Sequence, residues 1–201
     1  MNSAREAYRT WYNKIMEEKM DENIDKSLSR TGRYVIYSIW IQSQLSDLII
    51  LNRNKGIIND FNSQEIIPSI LREQRYIFWE KDFREVKEIF ETEFSSLLTT
   101  EVKMVLSSIY YLRNAIVHSH VSVGRKYLLY KPKNEKIVQS IKETLTIKNK
   151  SDENLNVPEI FKIDFSKDSL YFENMQVIKN FDEVFLKMIC EKIGVFHPKI
   201  R

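Results

Sequence analysis

Apolar side chains recur along this chain mostly at steps of three and four residues, the spacing of one helix face. Tyr8, Trp11, Tyr12, Ile15 and Met16 predict an amphipathic helix over residues 3–20. The polar, glycine-containing stretch 25–32 predicts a break before a second helix over 33–52. Val35, Ile36, Ile39, Trp40, Leu45, Leu48 and Ile49 put apolar groups on more than one side of that helix, so it is expected at the centre of the fold. Residues 53–76 are less regular, and Gly56, Ser63 and Pro68 suggest a loop and a short helix. A third long helix is expected through Trp79, Phe83, Val86, Phe90, Phe94 and Leu97.

The fourth helix has the clearest pattern. Thr99 and Thr100 offer an N-cap and Glu101 suits the positive end of the dipole. Val102, Val105, Ile109, Leu112 and Ile116 then form one packing seam. Regularity is expected to end at Ser119, ahead of Gly124. Beyond His120 the style changes. RKYLLYKP suits a strand, NEKIVQSIKETL an amphipathic helix and KNKSDENLN a loop. EIFKIDF and SLYFE, separated by the turn-prone SKD, suggest a hairpin. A last helix is expected over 181–193, with Asn180 as cap and Gly194 as stop. The expected fold is mainly α: a bundle of four to five long helices with a small C-terminal β-hairpin and a closing helix. Residues 1–122 would form the bundle core and 123–201 a C-terminal elaboration.

Composition agrees with a packed fold. Hydrophobic residues make up 43% and charged residues 29%, enough apolar surface to offset chain entropy. Only four Gly and four Pro occur, which favours long elements over many short strands. Cys190 is the only cysteine, so an internal disulfide is excluded, and its apolar neighbours predict a buried thiol. A cytoplasmic location fits this cysteine usage. The start, MNSAREAYRTWYNK, has no apolar core of a secretion signal. YVIYSIWIQSQLSDLIIL is interrupted by Gln42, Gln44 and Asp47, and is therefore expected as a buried helix without a membrane role.

The net charge of +3 is unevenly spread. Residues 124–150 hold eight basic side chains against two acidic ones, a net of +6. Arg125, Lys126, Lys131 and Lys133 could contact a polyanion such as RNA, and a solvated linker face explains them equally well.

Several chemistries are excluded by pattern. No GxxxxGK[ST] phosphate loop, GxGxxG, CxxC, HExxH or GxSxG occurs, and one cysteine with three histidines cannot build an ordinary zinc site. No metal or other cofactor is therefore expected. What remains is the end of the fourth helix, IYYLRNAIVHSH, which holds two of the three histidines close behind an arginine. Asn114 and His118 are four residues apart and share a helix face. These residue types suit RNA cleavage. Histidine exchanges protons near neutrality, and arginine can clamp two phosphate oxygens as charge develops. Asp47 is an auxiliary candidate that could reach across the bundle to orient Arg113, against the plainer reading of a solvated position on the second helix. His197, in the tail FHPKIR, is expected at the surface.

RNAIVH resembles the Arg-Asn-x-x-x-His form of the signature of the HEPN superfamily (higher eukaryotes and prokaryotes nucleotide-binding). The resemblance covers roughly residues 3–120. It implies a HEPN-like bundle with metal-independent endoribonuclease activity. Arg113 would be the phosphate-binding arginine, Asn114 the polar position after it and His118 the acid/base. His120 meets the longest spacing of the signature and stands as an auxiliary. The resemblance further implies a homodimer whose two motifs share one cleft. It also implies a role as toxin or antiviral defence protein, in some members paired with an antitoxin. Two other readings stay open: a non-catalytic module that binds RNA or protein on the same bundle, and Arg113 and Asn114 as helix-end bridges.

Overall fold

The computed structural model describes residues 22–61, 66–122, 127–144 and 160–197. The expected helix over 3–20, the loop 148–156, and Arg125 and Lys126 lie outside these residues.

The fold is mainly helical with a small antiparallel sheet. Helix α1, Glu22–Arg53, runs for 32 residues through the stretch where a break was expected. A tertiary contact overrides the weak local preference. Arg30 donates to the Phe165 and Ser166 carbonyls at 3.0 and 3.3 Å and to Asp168 at 2.7 Å, and Lys26 pairs with Asp168 at 2.8 Å. These two cations sit one turn apart, which only the helical conformation allows. Gly32 lies inside this helix, and a Cβ there would meet nothing within 4 Å. Gly32→Ala should therefore stabilise the protein by about 0.5–1 kcal/mol, read as a higher urea midpoint. An unchanged or lower midpoint would show that the helix is not continuous there.

Helix α1 is central, as its sequence predicts, but Ile36, Ile39 and Trp40 share an outer face and are 64%, 46% and 44% exposed. Tyr34, Ile41, Leu45, Leu48 and Ile49 are all buried. Its stretch from Ile24 to Arg53 is long and apolar enough to cross a membrane, and 61% of the most apolar window is buried against other parts of the protein. Two short helices follow, α2 (Lys55–Phe61) and α3 (Ile66–Gln74), then a 3₁₀ turn over Arg75–Phe78. Asn54 and Gln74 exchange side-chain hydrogen bonds of 2.9 and 3.1 Å across this excursion.

Helix α4, Phe83–Glu93, starts later than the apolar spacing suggests. Asp82 caps it, accepting from the Glu85 N–H, and the Glu85 carboxylate accepts from the Asp82 N–H. That capping box leaves Trp79 outside the helix in a turn, 79% exposed, while Phe83, Val86, Phe90 and Phe94 are buried as predicted. Helix α5, Thr100–Val117, begins at the anticipated cap, with the Thr99 hydroxyl accepting from Val102 N–H. Of its seam, Val102, Ile109, Leu112 and Ile116 are buried and Val105 is partly buried against the core.

Strands β1 (His120–Val121), β2 (Leu128–Tyr130) and β3 (Phe161–Ile163) form a sheet in that order, both pairs antiparallel. Helix α6, Glu135–Thr144, fulfils the amphipathic pattern of NEKIVQSIKETL. The hairpin expected between EIFKIDF and SLYFE does not form. Phe161–Ile163 pairs with β2 instead, and SLYFE opens helix α7, Asp168–Asn180. The SKD segment is a turn, but one that leads into a helix. Asp168 in the first helical turn suits the dipole and meets Lys26 and Arg30.

No cap forms at Asn180. The helix continues through a π-helical turn, Phe181–Leu186, into α8, Lys187–Ile193. Gly194 ends it with φ at 70°, the left-handed conformation for which its lack of a Cβ suits it. Cys190 is buried, and burial pushes its thiol up to about 11, so it packs as an inert apolar group. The C-terminal elements pack on α1 and α5, and Tyr130, Phe161 and Ile189 share one core with Leu45 and Leu112.

Candidate functional site

The last turns of α5 bring Tyr110, Arg113 and Asn114 to one face through their three- and four-residue spacing. His118 is the residue that closes the helix; its backbone N–H donates to the Asn114 carbonyl at 3.0 Å. The helix thus ends one residue before His118, slightly earlier than the sequence suggests. Facing it is the start of α4, where Asp82, Phe83 and Arg84 follow the capped turn. Together these seven residues line a pocket of about 370 Å³. Arg113, Asn114 and His118 are therefore brought together. His120 is carried off on β1, exposed and opposite Leu129, and does not line the pocket.

Arg113 is held firmly with little polar satisfaction. Its guanidinium carbon lies 5.6 Å above the Phe83 ring, and its buried Nε has no hydrogen-bond partner among the described residues. Burial lowers its pKa, opposed by the Asp82 and Tyr110 charges, and arginine nonetheless remains a cation at neutral pH. The guanidinium at the pocket wall is a partly desolvated cation, a charge that an anion would balance. Tyr110 was not singled out from sequence, though it shares the face of Arg113 and Asn114. Its ring meets Phe83 edge-on at 5.9 Å, and it lines the pocket beside Asn114. Burial, with Tyr111 beside it, raises the Tyr110 pKa, so the phenol stays protonated and can donate.

Asp47 is placed differently from both expectations. It is 1% exposed and touches Arg75 and His197, with no hydrogen bond or ion pair to Arg113. Arg75 grips its two oxygens through Nε and Nη2 at 2.7 and 2.5 Å, and His197 Nε2 lies 2.9 Å from Oδ2. Burial pushes the Asp47 carboxyl up, but the hydrogen bonds from His197 and Arg75 outweigh that and hold it below its ordinary value. His197, expected at the surface, is 1% exposed. Its partner lies 150 residues away, so no local pattern could have revealed the burial. Lys131 and Lys133 are exposed just after β2, and neither lines the pocket of Arg113.

A second cavity of about 420 Å³ adjoins the first, with Arg113 in the walls of both. Among the described residues no group of three or more His, Cys, Asp or Glu side chains is set to hold a metal ion. Comparison of the chain with known protein families, with curated proteins and with solved structures returned no match.

Proposed function

We propose that this protein is a HEPN-like endoribonuclease that cleaves RNA by attack of a 2′-hydroxyl on the adjacent phosphate. The reading is carried by one observation: Arg113, Asn114 and His118, a cation, an amide and an imidazole, line a single pocket. In this scheme Arg113 binds the scissile phosphate and stabilises the charge gained in the transition state. Exposed His118 takes the proton of the 2′-hydroxyl or supplies one to the departing 5′-oxygen. Asn114, beside Tyr110 in the same pocket, adds a neutral donor to the phosphate. No step calls on a metal. Attack by the neighbouring hydroxyl leaves a 2′,3′-cyclic phosphate and a 5′-hydroxyl, so DNA is spared.

The same reading makes the protein a homodimer acting in the cytoplasm as a toxin or antiviral defence ribonuclease, with an antitoxin or other defence protein as a further partner. Val117 and Val121, 53% and 55% exposed on either side of His118, support a second copy near the pocket. Lys131 and Lys133, with Arg125 and Lys126, would contribute to RNA contact through phosphate attraction. The test is purified protein with labelled RNA and labelled DNA in EDTA. RNA fragments without DNA fragments are expected. Salt-sensitive RNA binding with no product would favour the non-catalytic binding module instead.

A further inference from the structure

The larger cavity is not needed to hold the scissile phosphate, yet Arg113 opens into it. Its other walls come from α1 (Gln42, Ser43, Ser46, Asp47) and from the turn after α3 (Arg75, Phe78, Trp79). A chain whose phosphate sits on Arg113 must send one of its neighbouring nucleotides this way or out to solvent.

Three features equip the cavity for a nucleotide. The first is Arg75. Asp47 occupies its Nε and Nη2, and Nη1 has no hydrogen bond among the described residues. Asp47 is in turn held by His197, so the fork is fixed before any ligand arrives. Asp47 balances the Arg75 charge, so Arg75 would meet a second phosphate through the N–H groups of Nη1, beside the uncompensated charge of Arg113. The second feature is Trp79, a large aromatic 79% exposed at this cavity. Indole faces bind bases by stacking, whatever the base. The third is the polar pattern of α1. The Ser43 and Ser46 hydroxyls donate to the carbonyls of Ile39 and Gln42, and Gln42 Nε2 donates to the Lys81 carbonyl. The hydroxyl oxygens are left as acceptors, and the Gln42 amide keeps both its Oε1 acceptor and a second N–H donor.

We propose that this cavity seats the nucleotide next to the scissile phosphate, its base stacked on Trp79 and its other phosphate on Arg75. The inference rests on the ribonuclease reading for the identity of the chain, while nucleotide binding by the cavity is testable without cleavage.

The experiment is calorimetric titration of the full chain with the four nucleoside 5′-monophosphates, then with dinucleotides carrying a 2′-deoxy sugar that blocks attack. Saturable binding at one site per chain is expected, with purines tighter than pyrimidines because their larger faces stack better on Trp79. Trp79→Ala, at an exposed position, should weaken it by roughly fivefold or more while the circular dichroism spectrum is unchanged. Arg75→Lys should weaken it too, since a lysine paired with Asp47 has no second nitrogen to offer the phosphate. The dinucleotides should bind more tightly than the monophosphates because they also reach Arg113. Absence of binding at millimolar nucleotide, or Trp79→Ala binding like wild type, would overturn the assignment. Equal affinity for dinucleotide and monophosphate would overturn it in favour of a free-nucleotide site. Trp79-dependent binding without RNA cleavage would uphold the cavity and remove the nuclease reading. Cleavage that ignores Trp79, with no nucleotide bound, would do the reverse.

Discussion

If the chain is the proposed ribonuclease, replacing His118 with Ala should lower the RNA cleavage rate by about 10²–10⁴-fold, the usual contribution of a positioned general acid or base. Stability should stay within about 0.5 kcal/mol of wild type, because the side chain is exposed and no hydrogen bond of its imidazole is seen among the described residues. That combination separates a chemical role from a structural one. Arg113→Lys is a useful companion. It keeps the positive charge but cannot offer two parallel N–H groups to a phosphate, so a rate loss of roughly 10²-fold is expected. His120→Ala should change little, since β1 carries that ring away from the pocket lining. Single-turnover assays on one labelled RNA, run beside thermal melts, check all three. Cleavage surviving in His118→Ala, or lost equally in His120→Ala, would reassign the acid/base.

The largest effect on stability is expected at Asp47. Asp47→Ala removes the anion that Arg75 grips with two nitrogens and the acceptor that His197 faces in a buried site. Deleting one member of a fully buried ion pair costs about 3–5 kcal/mol. The Arg75 side chain is 34% exposed and water offsets part of its loss, so roughly 2–3 kcal/mol is expected, still a large share of the about 5–15 kcal/mol that keeps a domain folded. His197→Ala should cost less, because Arg75 still neutralises the carboxylate. The carboxyl also fixes a pH dependence. Its folded pKa is depressed, so its contribution is complete above the unfolded-chain value of about 3.9. Stability is then lost as pH falls through the lower folded value. Urea midpoints of wild type and Asp47→Asn, followed downward from pH 5, should converge. Parallel curves would mean that Asp47 titrates alike in both states.

Much of the fold could be read from local signals. Thr99, the seam from Val102 to Ile116 and the stop at Gly194 are each written within a few residues of the structure they produce, and the structure honours them. The failures share a cause. The helix through Gly32 is held by Lys26 and Arg30 meeting Asp168, and SLYFE becomes helical at the other end of that same contact. A short apolar run such as LYF fits either a strand or a helix until its partner is known. Asn180 looked like a cap because a polar residue precedes an apolar run, yet the run simply continues through a π-helical turn. In the candidate site, Arg113, Asn114 and His118 were legible because they lie within six residues on one helix end. Tyr110 was legible in principle on the same face. Asp82, Phe83 and Arg84 were not, since they arrive from α4, and neither was the Arg75–Asp47–His197 group, which joins three distant segments.

The most direct measurement is the chemistry of the ends made when wild-type protein cuts a defined RNA in EDTA, read by mass spectrometry. A 2′,3′-cyclic phosphate or its 3′-phosphate, facing a 5′-hydroxyl, is the predicted result. Ends bearing a 3′-hydroxyl and a 5′-phosphate, or intact RNA, would contradict it.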